Sequence, residues 1–489
     1  MTSEFQILLS ILLPLAGAVG IAITGRRYPN LREAVTLVTT ASLALTVWTL
    51  LPELLAGDRP SARVAEMLPG LAIEFQVEPL GMLFAMLASL LWIVNSIYSI
   101  GYMRGNNEQH QTRFYVLFAV ALSAAMGIAF AGNLLTLFIF YEVLTLSTYP
   151  LVAHKGDGKT VASARTYLGI LLATSIGLFL PAIIWTYHVA GTLDFTPGGI
   201  LVGNLAGPAV GLLLALYVFG IGKAAVMPVH RWLPAAMVAP TPVSALLHAV
   251  AVVKAGVFTI TKVVLYIFGV DLLFTESSAD WLLFAAAFTV IAASVVALRQ
   301  SNLKRLLAYS TIAQLSYVVM AVAILKPLSE IGAAIHIVAH AFGKITLFFA
   351  AGSIYTAAKK TEIHQLRGIG RRMPWTMAAF TIGALSMIGV PPTAGFVSKW
   401  YILAGSFQSD NHVAIVTIIV STALNALYFL PIILYAWFCR EEVAPVNDHG
   451  EAPLAIVIAL TVTAALTVLL FLFNQPVLDL ASQLGGMPK

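Results

Sequence analysis

ALYVFGIGKAAVMPVHRWLPAAMV (residues 215–238) and FTIGALSMIGVPPTAGFVSKWYILAG (residues 380–405) decide how this chain folds. Each is apolar and long enough to span a bilayer, and each is broken in its middle. Pro228 and Pro234 interrupt the first; Gly389, Pro391 and Pro392 interrupt the second. Proline removes a backbone donor and clashes with the preceding turn, so a helix is expected to break at both places. Broken backbone survives at bilayer depth only where protein or a water-filled cavity satisfies the freed groups. Each break also carries a lysine, Lys223 just before the first and Lys399 just after the second. Ordinary kinks occur in membrane helices too, but a kink gives no reason for a lysine beside it.

The rest of the chain supplies the frame. Its 489 residues are 59% hydrophobic and 10% charged, with a mean hydropathy of +0.90. That composition defines a polytopic membrane protein and excludes a large soluble domain. A span needs about 20 apolar residues, and fourteen such segments are read: 5–25, 34–53, 80–103, 112–131, 133–153, 165–190, 207–237, 241–269, 280–298, 303–325, 330–357, 375–407, 412–438 and 453–474. The first apolar stretch lacks a basic leader and a small-residue cleavage site, so it is expected to be retained as a span. The single cysteine, Cys439, excludes a disulfide framework and multi-cysteine metal or iron–sulfur sites.

The broken segments are the seventh and twelfth spans, five apart. Interrupted helices at matching places in two halves point to an inverted-repeat transporter. The expected fold class is therefore an all-α polytopic membrane protein of about 14 transmembrane helices, with two inverted five-helix repeats in spans 4–8 and 9–13. An odd number of spans per repeat forces the two copies into opposite topology. The expected organisation is an N-terminal three-span bundle at 1–110, a first repeat at 111–270, a second at 271–440, and a C-terminal span and tail at 441–489.

Basic residues set the orientation. Eighteen of the 27 Lys and Arg fall in the odd-numbered loops and four in the even loops and tails; the other five are lysines inside spans. The positive-inside rule then puts the odd loops in the cytoplasm and both termini outside. The net charge of +5 is thus a topology signal and requires no nucleic-acid partner.

The five intramembrane lysines are Lys223, Lys254, Lys262, Lys344 and Lys399, accompanied by Glu142, His248, His336 and His340. A charge at bilayer depth costs about 2.5–3.5 kcal/mol even on the cheapest scale, so it marks an ion or proton path. Glu142 lies mid-span, and Lys223 is its expected partner because a nearby lysine would keep the carboxylate ionised. Lys254 is near mid-bilayer with His248 within two turns, which suits a relay. Lys262 is closer to the outer surface and is expected to snorkel. His336, His340 and Lys344 recur at i, i+4 and i+8 on one helical stripe. Two histidines at that spacing can hold a metal. Here the lysine one turn on repels a cation, and no carboxylate or cysteine lies within the span, so a proton wire is the reading. Ser310, Thr311, Gln314 and Ser316 in the tenth span are expected partners for the histidines or holders of water. No cofactor and no metal are expected.

These residues carry a resemblance. PVHRWLPAAMVAPTPVSALLHAVAVVKAG (228–256) resembles the signature of the antiporter-like subunits shared by respiratory complex I, membrane-bound hydrogenases and Mrp-type multisubunit Na+/H+ antiporters. NLLTLFIFYEVLTLSTYPL around Glu142, SNLKRLLAYSTIAQLSYVVM in the tenth span and IGVPPTAGFVSKW in the twelfth support it, and the match covers essentially the whole chain. The resemblance implies that Glu142 and Lys223 are the pair modulating proton affinity, Lys254 the central lysine and Lys399 the terminal one. His336, His340 and Lys344 would form the connecting region. His248 departs from the simplest Mrp D pattern, though the chain ends soon after its fourteenth span as the smaller subunits do, and Mrp D fits best. The implied function is a proton-translocating subunit of a monovalent cation (Na+)/proton antiporter, a transporter subunit without catalytic chemistry of its own. The alternative is a pumping subunit of an NADH:quinone oxidoreductase or membrane-bound hydrogenase. A freestanding solute transporter or channel is a third possibility. The implied partners are sister membrane subunits, protons, Na+ and the lipid of a bacterial or archaeal plasma membrane.

Overall fold

The computed structural model describes residues 2–68, 70–440 and 450–484, without the side chains of Leu68 and His248. The chain is a polytopic helical membrane protein, with eleven described helices long and apolar enough to cross a bilayer. The first six are α1 (Ser3–Thr24), α2 (Pro29–Trp48), α3 (Pro79–Gly105), α4 (Gln111–Ala129), α5 (Leu134–Val152) and α6 (Gly158–Ala190). Next come two interrupted segments, α7, whose regular part is Pro208–Gly220, and α8 (241–268). Then follow α9 (Trp281–Leu298), α10 (Leu303–Ala323) and α11 (Pro327–Ala358). The interrupted α12 consists of Pro374–Ile388 and Ala394–Gln408, before α13 (His412–Phe438) and α14 (Leu454–Leu472). The three expected spans at 207–237, 241–269 and 375–407 are thus helical but interrupted, and length alone does not qualify them.

Polar residues at element starts explain where several helices begin. The side chains of Asn133, Asp157 and Asn302 accept from the backbone N–H groups of Thr136, Thr160 and Arg305, each capping the first turn of α5, α6 and α10. An addition to the all-helical expectation is a hairpin between α2 and α3, in which β1 (Ser61–Leu68) pairs antiparallel with β2 (Leu71–Gln76). β2 docks on the α4–α5 turn. Gln76 N donates to Phe130 O at 2.6 Å, Gly132 N to Glu74 O at 2.9 Å, and Asn133 Nδ2 to Ala72 O at 2.9 Å.

The two expected breaks are real. α7 stops at Gly220 and passes into a 3-10 turn, Gly222–Ala224. α12 stops at Gly389 (φ +93) and resumes at Ala394. A third interruption carried no proline or glycine signal. In α8 the stretch Leu246–Val250 is a π turn, with Ala251 N donating to Leu246 O, before the regular helix resumes at Val252. Such bulges rotate the helix beyond them and concentrate at functional sites. This one lies one turn before Lys254.

Between membrane helices close packing has to replace the hydrophobic drive. Gly256 of α8 is the clearest case. A Cβ there would stand 2.2 Å from Ala224 N, so α8 lies directly against the α7 break. α11 is the axle of the molecule: its most apolar 18-residue stretch is 100% buried, against 39% in α1 and 33% in α14. His336, His340 and Lys344 therefore sit on the most enclosed of these helices.

Candidate functional site

The site is a row of buried amines and imidazoles on the two broken spans, α8 and α11. Lys223 lies in the 3-10 turn of the α7 break, fully buried. Its Nζ donates to Tyr141 O at 2.8 Å and Thr145 Oγ1 at 2.5 Å, and sits 3.1 Å from the centre of the Tyr141 ring. Its backbone N donates to the Tyr141 hydroxyl. A strand of freed backbone is thus tied to α5 through one tyrosine.

Glu142 and Lys223 do not meet in a contact ion pair: the ion pairs among the described residues do not join them. The reason is helical phase. Tyr141 and Thr145, at i and i+4, form the stripe of α5 that faces Lys223. Glu142 starts the neighbouring stripe, continued by Leu146, which is 55% exposed. Glu142 is half-buried; its Oε1 is enclosed without a hydrogen-bond partner, and its charge acts on Lys223 through space.

Lys254 and His340 are brought together: Lys254 Nζ lies 2.8 Å from His340 Nδ1, joining α8 to α11. His336 lies one turn before His340, the two rings tilted by 33° with centres 6.2 Å apart. Its Nδ1 meets Ser398 Oγ at 2.9 Å, the residue just before Lys399, while its Nε2 is buried without a partner. The stripe thus turns from α11 into α12. The backbone of His248 lies in the π turn of α8, and its side chain is outside the described residues.

Lys399 answers the break in α12 directly. Its Nζ donates to Met387 O at 3.0 Å and Ile388 O at 2.9 Å, two carbonyls left free where the helix stops. Gln314 and Asn425 also donate to Met387 O, at 3.3 and 3.2 Å. Lys344 takes a different direction. Its Nζ donates to Ser310 Oγ at 2.9 Å; the Ser310 hydroxyl lies 3.1 Å from that of Tyr428 and can donate to it, while Tyr428 donates to Asn425 Oδ1. Of the tenth-span polar residues, Ser310 serves Lys344 and Gln314 serves the α12 break, and the backbone of Gln314 also reaches His336, whose Nδ1 partner comes from α12. Lys344 lies within electrostatic reach of Lys254, and Lys254, Lys399 and Lys344 lie within reach of His336.

Lys262 does not snorkel. It is 1% exposed, and its Nζ stands 2.7 Å from Glu78 Oε1, 2.9 Å from Ala131 O and 3.7 Å from the centre of the Phe195 ring. The hairpin and the α4–α5 turn cover the end of α8 and close off the water that the ammonium was expected to reach. Glu78 had no signal of its own, standing beside Pro79 at the end of an apolar span. Ser398, Asn425 and Tyr428 were also passed over. Asn425 within the apolar run of α13 was the readable clue, since a polar side chain at that depth needs partners.

Buried amines, imidazoles and hydroxyls inside a many-span helical fold define a class, a polytopic membrane protein with an ionisable interior. The comparisons with known proteins agree. Residues 131–425 match the family described as NADH:quinone oxidoreductase/Mrp antiporter, TM. The chain is 31% identical to NADH-quinone oxidoreductase subunit N of Desulforudis audaxviator over 98% of both proteins. It is 26% identical to the D-type subunit of the Na(+)/H(+) antiporter of Alkalihalophilus pseudofirmus, over 82% of this chain and 81% of the relative. A chain of the Mrp complex from Dietzia superposes with a TM-score of 0.85 at 22% identity, covering 99% of this chain and 97% of that one. The chain belongs to this family of antiporter-like membrane subunits.

Proposed function

We propose that this chain is the proton-translocating subunit of a multisubunit monovalent cation (Na+)/proton antiporter. Protons would move along Lys223, Lys254, His340, His336 and Lys399, with Glu142 acting on Lys223 from one end and Lys344 on Lys254 and His336 from the side. His248, within the π turn, completes the set. The observation that carries this reading is the 2.8 Å contact between Lys254 and His340, an amine meeting an imidazole where a proton on one disfavours a proton on the other. A charge arriving at one position therefore pushes on the next.

The reading includes fourteen crossings, inverted repeats at 111–270 and 271–440 between a bundle at 1–110 and a C-terminal span, basic loops in the cytoplasm, and sister membrane subunits. The order of elements supports the repeats: two continuous helices, a third, a broken helix and a further helix occur in both halves. A second reading is a proton-pumping subunit of a quinone-reducing or hydrogenase complex, favoured by the full-length likeness to a subunit N at 31% identity.

Vesicles carrying the chain with its complete set of neighbouring subunits test both. A Na+ gradient applied without electron donor should move protons in wild type and fail in Lys254→Met and His340→Phe. Unimpaired flux in both variants overturns the relay. Flux that needs a reductant and ignores Na+ selects the redox reading.

A further inference from the structure

A cleft of about 580 Å³ opens on the face that carries the basic loops, between the start of α6, the exit of the α7 break and the first turns of α10. Lys159, Arg231 and Arg305 line it, one from each element, with no acidic residue among the lining. None of the three makes an ion pair or side-chain hydrogen bond among the described residues, and all are exposed. The positive-inside rule accounts for basic residues on this face. It does not account for three converging on one concavity without a counter-charge.

Two of them also stand where a cation is disfavoured. Lys159 is the second residue of α6, and Arg305 the third of α10. Helix N-termini attract anions; here Asp157 and Asn302 cap them, and the three cations carry the preference for an anion in the cleft. Two of the elements around the cleft are held together, because Lys304 Nζ donates to Ala239 O at 2.7 Å and ties α10 to the exit of the break. One wall is apolar, formed by Pro234, Met237 and Val238; Asn302 and Tyr309 add polar groups opposite.

We propose that this cleft binds the phosphodiester headgroup of an anionic phospholipid. The three cations meet the phosphate, as basic pockets between helices do at membrane surfaces, and the apolar wall takes the glycerol end of the acyl chains. A free phosphate offers the same charge but leaves that wall unused. The site sits at the mouth of the α7 break and beside Tyr309, the neighbour of Ser310. It does not depend on whether the assembly is an antiporter or a redox pump.

The test is photolabelling of the intact complex containing the full chain, in phosphatidylcholine vesicles doped with photoactivatable phosphatidylglycerol. Peptides spanning 231–238 and 302–309 should be labelled, and unlabelled phosphatidylglycerol should compete while phosphatidylcholine does not. Each removed cation should weaken labelling roughly fivefold, so R231Q/R305Q should lose most of it and R231K/R305K should keep it. Lys159→Gln alters an exposed side chain at a helix start and keeps the test open if the double variant fails to assemble. Equal labelling of wild type and Lys159→Gln overturns the proposal. So does competition by millimolar inorganic phosphate as effective as by the lipid, which would assign the cleft to free phosphate.

Discussion

Lys399 separates a structural from a functional account of the buried row, because it does visible work in the fold. Its ammonium caps Met387 O and Ile388 O where α12 breaks. Replacing it by methionine removes both donors. Met387 O keeps Gln314 and Asn425 as donors, so only Ile388 O is left unserved. An orphaned buried carbonyl costs about 1–3 kcal/mol, while interhelical hydrogen bonds in bilayers average about 0.6 with a ceiling of about 1.7. Lys399→Met should therefore destabilise by about 1–2 kcal/mol. Lys399→Gln retains an N–H donor on a shorter stem and should cost less than about 1 kcal/mol. Neither change is large enough to prevent assembly.

A glutamine amide cannot pick up and release a proton near neutral pH. If Lys399 is a relay group, Lys399→Gln should assemble, melt close to wild type and still lose proton flux in vesicles containing the full set of subunits. Intrinsic tryptophan fluorescence reads the melt, and a pH-sensitive dye reads the flux. If Lys399→Gln retains more than about half the wild-type flux, the lysine is a carbonyl cap and the reasoning fails, whatever Lys399→Met does.

The other perturbations rest on the same geometry. Gly389 combines φ +93 with a Cβ position 2.8 Å from Lys399 Cδ, so Gly389→Ala should cost about 1–3 kcal/mol and displace the lysine from its carbonyls. An assembled variant with normal flux would count against the cap geometry. Lys262→Met leaves Glu78 buried and uncompensated and should destabilise by about 3–5 kcal/mol. Glu78→Gln/Lys262→Met should recover most of that in thermal melts, and a double variant no better than the single would refute the pairing. His154, in the loop after α5, is lowered to about 4 by burial and by the neighbouring Arg113, against about 6.5 unfolded. Between those values the unfolded chain binds the extra proton, so this contribution is complete above about pH 6.5 and drains as pH falls toward 4. Its loss by pH 5 is about 2 kcal/mol; His154→Gln should show a correspondingly flatter melting profile, and an unchanged pH slope would rule the histidine out.

Much of the fold was legible because membranes impose few options. Apolar runs of span length, prolines in two of them and the uneven distribution of Arg and Lys follow from local chemistry and the cost of unsatisfied backbone in lipid. The α8 interruption was not legible. Leu246–Val250 has neither proline nor glycine, and it packs against α3 and α11, which are distant in sequence. The hairpin escaped for a similar reason, since β2 is fixed by bonds to the distant α4–α5 turn.

The sequence by itself determined which groups are buried and titratable: Lys223, Lys254, Lys344, Lys399 and the two histidines of α11 are charged or polar residues in spans that must be apolar. Spacing along one helix also put His336, His340 and Lys344 on one stripe. Only the tertiary structure decided which groups touch. Partners on different helices depend on helix rotation, and a shift of one residue turns a side chain by about 100°. That rotation gave Lys223 to Tyr141 and Thr145 with Glu142 beside them, Lys254 to His340, Lys399 to the carbonyls of its own break, and Lys262 to Glu78.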